Sequence, residues 1–218
     1  MELPLDIHTH RTPKVPSQAI VNIRFPEPFH PVAGGYYSVG IHPWDVHLFD
    51  ETQIDWKLFA EWASHPQVLA IGECGMDKKV HKDLLLRQER IFSRQVLIAL
   101  EVKKPIIVHN VRAAGCLRLC KEYSNFHLPW IQHGFRGGQA VASRTIDHGF
   151  ILSFGPRYDE EALRFVPLDE LLLETDDSDV DIHEVYRRAA ETRCIPVEEL
   201  TAQVQQNIQR MFFTQQEL

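Results

Sequence analysis

Residues 105–155 read PIIVHNVRAAGCLRLCKEYSNFHLPWIQHGFRGGQAVASRTIDHGFILSFG. Apolar runs at 105–111 (PIIVHNV), 129–135 (PWIQHGF) and 150–155 (FILSFG) alternate with helical patterns at 112–123 and 138–147. The runs lack the strict apolar–polar alternation of a half-exposed strand, which predicts strands covered on both faces. Strand and helix in regular alternation predict parallel βα units.

The same grammar extends in both directions. VLAIGE at 68–73 precedes this stretch and ELLLETD at 170–176 follows it, with helical patterns at 51–64, 82–103, 180–192 and 197–213. Toward the N-terminus lie LDIHTH at 5–10, AIVNIRF at 19–25 and YYSVGIH at 36–42, giving eight candidate strands in all. The expected fold is an α/β, TIM-like (β/α)8 barrel, read as a single domain over residues 1–218. Only 8 residues separate the first two strand patterns and 10 the next two, both rich in Pro or Gly. Such connections are too short for a crossover helix, so the first two crossover helices are expected to be shortened or missing.

Composition narrows the function classes. The 218 residues are 44% hydrophobic and 10% aromatic, enough for a substantial core and against disorder. The net charge of −7 argues against coating nucleic acid through bulk positive charge, though not against a nuclease whose metals meet the phosphate. No apolar run is long enough to span a membrane, and MELPLD lacks the basic and apolar start of a secretory signal. A cytoplasmic protein without a membrane or an obligate protein partner is expected. Cys74, Cys116, Cys120 and Cys194 form no Cys-x-x-Cys pair, and Cys116 and Cys120, four apart in a helical stretch, read as packing residues.

Polar residues sit where the apolar runs end. His8 and His10 are one residue apart, so strand alternation aims both to one side. Glu73, His109, His133 and Asp176 each close or nearly close a later run, at the end where a barrel keeps its active site. Four imidazoles and two carboxylates exceed the three protein ligands of a single catalytic ion. Two divalent ions are expected, with Glu73 the natural bridge, and the imidazoles of a mixed N/O set favour Zn²⁺ or Mn²⁺ over Mg²⁺.

At these residues the chain resembles the TatD-type metal-dependent deoxyribonuclease family of the amidohydrolase superfamily. The resemblance runs nearly end to end through DIHTH, VGIHPWD, AIGECGMD, the stretch from RQERIF to VRAA, HGFRGG, LLLETD and QVQQNIQRMF, in a short variant. It implies a TIM-like barrel and hydrolysis of DNA phosphodiesters by metal-activated water, with Mg²⁺ also an admissible ion. It also implies metal ligation by His8, His10, Glu73, His109, His133 and Asp176, with Asp176 and Glu73 the catalytic carboxylates and Glu174 supporting them. Where the family reads Gly-Leu-Asp this chain has Gly75-Met76-Asp77, a swap of similar volume. Asp177, Ser178, Asp179 and Asp181 replace the usual small residue and Pro, an acidic loop unfavourable to a polyanion.

Four more residues are candidate substrate contacts: His42 after the third strand, and Arg112, Arg136 and Arg157 on the same face, where guanidinium groups can clamp phosphate oxygens. Trp44 reads either as a stacking surface for a base or as a packing anchor. Asp181 and His183 also resemble the Asp-x-His ending of the polymerase and histidinol phosphatase family, or else simply begin a helix. The alternatives to a DNA phosphodiesterase are hydrolysis of a small phosphate ester, amide or lactone, and a metal-binding scaffold without turnover.

Overall fold

β-Branched and aliphatic runs become the staves of a barrel in the computed structural model, which describes residues 3–214. The strands are β1 (Asp6–Thr9), β2 (Ala19–Arg24), β3 (Tyr36–Gly40), β4 (Val68–Asp77), β5 (Ile106–Val111), β6 (Trp130–Gln132), β7 (Phe150–Phe154) and β8 (Leu171–Leu173). They pair in parallel in chain order, as expected of a (β/α)8 barrel. The seam closes beyond the end of β8. Thr9 bridges Asp176, the Asp176 N–H donates to the His8 carbonyl at 3.0 Å and the His10 N–H donates to the Asp176 carbonyl at 3.1 Å.

Helices α1 (Trp56–Ala63), α2 (Leu85–Val102), α3 (Ala114–Glu122), α4 (Gln139–Asp147), α5 (Glu160–Phe165), α6 (Ile182–Arg193) and α7 (Val197–Ile208) surround the sheet. No α-helix joins β1 to β2 or β2 to β3, so the expected deficit in that wall is real. Aromatic side chains cover it instead. Phe25 and Phe29, from the β2–β3 connection, meet Trp62 of α1 at ring-centroid distances of 5.2 and 5.7 Å. Among the described residues no helix is long and apolar enough to cross a membrane.

Boundaries depart from the sequence pattern where local chemistry intervenes. The pattern at 51–64 splits into a 3-10 turn (Glu51–Gln53) and α1, because the Asp55 carboxylate accepts the Leu58 N–H at 2.9 Å and caps a new helix start. Helix α5, not anticipated from the sequence, is six residues long, too short to display a 3.6-residue repeat; the Asp159 carboxylate caps it. Helix α3 starts later than the pattern at 112–123 because Arg112 adopts a left-handed φ of 53°. Strand β4 runs on through Asp77 instead of ending at Glu73, while β3, β6 and β8 stop short of His42, His133 and Asp176.

Candidate metal centre

Because every strand points the same way, residues at or beyond the C-terminal ends of the strands converge at one mouth. Glu73 lies at the centre of this convergence. Strand β4 bulges there: from Ile71 to Cys74 it takes three steps while β5 takes two, from Ile106 to Val108. A bulge re-aims a side chain. The glycines beside it permit the distortion: Gly75, at φ +141°, faces His109 in register, and a Cβ there would collide with the His109 carbonyl.

The two carboxylate oxygens of Glu73 face different imidazoles. Oε1 lies 2.7 Å from His109 Nδ1, 2.8 Å from His133 Nε2 and 3.0 Å from His42 Nε2. Oε2 lies 3.1 Å from His10 Nε2 and 3.4 Å from His8 Nε2. Asp176 Oδ1 completes that second side, 3.6 Å from His10 Nε2 and 3.8 Å from His8 Nε2. All six sequence-predicted ligands therefore meet in one cluster.

The far nitrogens of two imidazoles are held by further carboxylates. His109 Nε2 lies 3.2 Å from Asp77 Oδ2, and His133 Nδ1 lies 3.3 Å from Glu174 Oε1. Glu174, expected as a support, is fully buried and also accepts the Gly134 N–H at 2.7 Å. Asp77 and Asp6 were not singled out from the sequence. Asp77 sits at the end of the extended β4, a position visible only once the bulge is known. For Asp6 a signal existed: it shares a strand face with His8 and His10. Its Oδ2 accepts the Thr175 hydroxyl at 2.6 Å, and Oδ1 accepts the N–H groups of Thr175 at 3.1 Å and His8 at 3.2 Å, tying β1 to the β8 loop.

Burial opposes charge on every buried ionisable group here, and the neighbours decide the outcome. Glu73 is held well below the usual carboxylate range because the charge of His133 and bonds from His10, His109 and His133 outweigh burial. Against the same opposing burial, the charge of Glu73 and the bond to Glu174 lift His133 well above its ordinary value, and the bonds to Asp77 and Glu73 raise His109. Burial dominates at Asp176, which is raised, and at Asp6, raised to about 7. His42 is lowered, chiefly by burial. The Trp44 N–H donates to His42 Nδ1 at 3.1 Å, so the neutral ring carries its proton on Nε2 and donates it to Glu73. With both nitrogens engaged and the ring 2% exposed, His42 faces the cluster and not an open groove.

Donor chemistry fits divalent cations. Three overlapping triads, His8/His133/Asp176, His8/His10/Glu73 and His42/Glu73/His109, each place ligand atoms within 4.8 Å of one another. His8 is fully buried with neither ring nitrogen hydrogen-bonded, an arrangement that leaves a strong donor set unused unless a cation takes it. The proton on His42 Nε2 makes the third triad the least suited of the three.

Of the arginines, Arg136 and Arg157 share a cleft with Glu174, Asp176, Asp177 and Asp179. Arg112 is exposed in its turn and is not among the residues lining that cleft. Asp181 Oδ1 accepts the His183 N–H at 2.8 Å and caps α6, so this pair serves as a helix start.

A parallel barrel with a His/Glu/Asp cluster at its C-terminal mouth is built for metal-dependent hydrolysis. Residues 32–213 match the model of the TatD related DNase family, and the chain belongs to that family. An uncharacterized metal-dependent hydrolase, YabD of Bacillus subtilis, is 30% identical over 198 residues, covering 81% of this chain and 77% of its own. The 3'-5' ssDNA/RNA exonuclease TatD of Salmonella typhimurium is 30% identical over 154 residues, 64% of this chain and 56% of its own. The crystal structure of YJJV, a TatD homologue from Escherichia coli K12, is similar in fold with a TM-score of 0.79 at 21% identity, covering 96% of this chain and 97% of that one.

Proposed function

We propose that this hydrolase cleaves phosphodiester bonds of single-stranded or end-exposed DNA, using two divalent ions that the residues gathered around Glu73 would hold. The observation that carries this reading is the division of imidazoles between the two Glu73 oxygens. His8, His10 and Asp176 would hold one ion and His109 and His133 the other, with Zn²⁺ or Mn²⁺ suited to so many nitrogens and Mg²⁺ also admissible. Ions in that setting supply Lewis-acid charge for the phosphoryl oxygens and acidify a water. The name of the Salmonella relative supports a nucleic-acid substrate.

The chain's own residues do the rest. Asp176, a carboxylate beside His8 and His10 at the mouth, would accept the proton of the attacking water. Asp77 and Glu174 orient His109 and His133 through their far nitrogens, and His42 steadies Glu73 by donating to Oε1. Arg136 and Arg157 bind phosphate oxygens from the adjoining cleft, where they offset Asp177 and Asp179. Those two exposed aspartates favour one second reading, a small phosphate ester in place of a polyanion.

End-labelled single-stranded DNA, incubated with metal-stripped protein and then with Mg²⁺, Mn²⁺ or Zn²⁺, tests the proposal. Metal-dependent cleavage is expected, abolished in His8→Ala/His10→Ala and reduced at least about 100-fold in Asp176→Asn, which retains the fold. Cleavage of a small phosphate ester but of no oligonucleotide, in protein shown to hold metal, would move the assignment to the second reading.

A further inference from the structure

We propose that Trp44 is a stacking platform for one nucleobase of the substrate strand, an inference that rests on the nuclease reading above. The chain has four tryptophans, and three serve the core: Trp130 is buried within it, and Trp56 and Trp62 pack against it. Trp44 does neither. Its side chain is 43% exposed although the preceding His42 and Pro43 are buried.

That exposed ring is nonetheless held in place. Its backbone N–H donates to His42 Nδ1 at 3.1 Å, its indole N–H donates to Asp77 Oδ2 at 2.8 Å, and its carbonyl accepts from His47 Nδ1 at 2.8 Å. Two of these partners are themselves bonded to the cluster, His42 to Glu73 and Asp77 to His109. The ring centroid lies 5.8 Å from that of His109 and 5.0 Å from that of His42. A large aromatic surface is thus presented to solvent at the edge of the reacting centre, with its orientation set in advance. Pre-ordering of this kind lowers the entropy lost when a partner binds.

The chemistry of the partner follows from what the ring has left to offer. Its only polar group is committed to Asp77, so it presents π-faces without a free donor. A planar base stacks on such a face whatever its hydrogen-bonding edge, which makes the contact tolerant of sequence but dependent on the presence of a base. Trp44 therefore positions the strand by its base, while Arg136 and Arg157 act on its phosphates.

An abasic scan tests this. Single-stranded oligonucleotides in which one residue at a time, counted from the cleaved end, lacks its base are compared with the intact strand for wild type, Trp44→Phe and Trp44→Leu, each with the working metal. At one position, loss of the base should lower wild-type kcat/KM on the order of tenfold, with a smaller effect in Trp44→Phe and none in Trp44→Leu. If Trp44 only buttresses Asp77, both variants lose activity equally on intact and abasic strands, and the wild-type ratio between the two persists; that result overturns the inference. Binding gives an independent readout: a phosphorothioate oligonucleotide should quench tryptophan fluorescence in wild type and not in Trp44→Leu. Cleavage without sensitivity to any abasic position rejects the stacking alone, whereas failure of wild type to cleave the intact strand rejects the nuclease reading and the stacking with it.

Discussion

Asp6 is a buried carboxylate whose Oδ1 accepts the His8 N–H. Burial raises it from an ordinary 3.8 to about 7, despite the bonds it accepts from Thr175 and His8. Between those values the folded chain retains a proton that the unfolded chain has released, so stability contributed at this site falls as pH rises. The total is ~4 kcal/mol over the interval from 3.8 to about 7. Asn fits the same space, and Thr175 can turn its hydroxyl toward Thr9 Oγ1, 3.0 Å away, while accepting from the amide. The stability difference between Asp6→Asn and wild type, followed by denaturant titration in chelator, should shift toward the variant by a few kcal/mol from about pH 4 to pH 8. Parallel pH profiles would show that Asp6 does not carry this proton. Residue chemistry of this kind was partly legible beforehand. The six clustered residues could be read from polar positions closing apolar runs, because a parallel barrel brings strand ends together whatever their spacing in sequence. The contact of Asp77 with His109 was not legible, although Asp77 closes the AIGECGMD stretch, since it depends on how far β4 continues past Glu73.

At the scale of the element, β4 is the part on which the centre depends. Its bulge turns Glu73 inward, and its glycines allow β5 to approach closely enough for His109 to reach Oε1. Gly75→Ala should destabilise by about 3 kcal/mol, since it combines positive φ with a collision against the His109 carbonyl. The same change should lower metal content as His109 is displaced, measured by elemental analysis after dialysis against metal. A variant that melts like wild type and holds the full complement of metal would remove Gly75 from the construction of the site. Helix caps sit at the other extreme. Asp181→Ala should cost only about 1 kcal/mol, because it removes one bond at an exposed helix start. Strands and long helices were predictable because each repeats its pattern over many residues. Short α5 and the split before α1 were not, because single capping aspartates decided them.

For the whole molecule, metal and fold are coupled through the protons of the centre. Without metal, His109 and His133 each lie between two carboxylates, which favours their charged forms, and Glu73 is ionised among them. The raised imidazoles contribute stability that is complete below about 6.5 and lost as pH climbs through their folded values; the lowered Glu73 contributes stability present above 4.5 and lost as pH falls. Metal-free protein should therefore draw most from this cluster between about pH 4.5 and 6.5. Metal uptake must expel imidazole protons, so affinity rises with pH and protons are released, which calorimetry in buffers of different ionisation enthalpy can count. The melting temperature gained on adding metal back should grow from pH 6 to pH 8, and a pH-independent gain would contradict this linkage. By itself, the order of apolar runs and helical patterns determined the parallel barrel, its deficient first wall and which polar residues cluster at its mouth, since these follow from periodicity and strand direction. Only the tertiary structure decided which Glu73 oxygen each imidazole faces, that Asp77 and Asp6 stand behind the ligands, that His42 turns inward, and that the seam closes through His8, His10 and Asp176. Those outcomes depend on a bulge, on the register of strands distant in sequence and on single hydrogen bonds, none of which leaves a periodic trace in the chain.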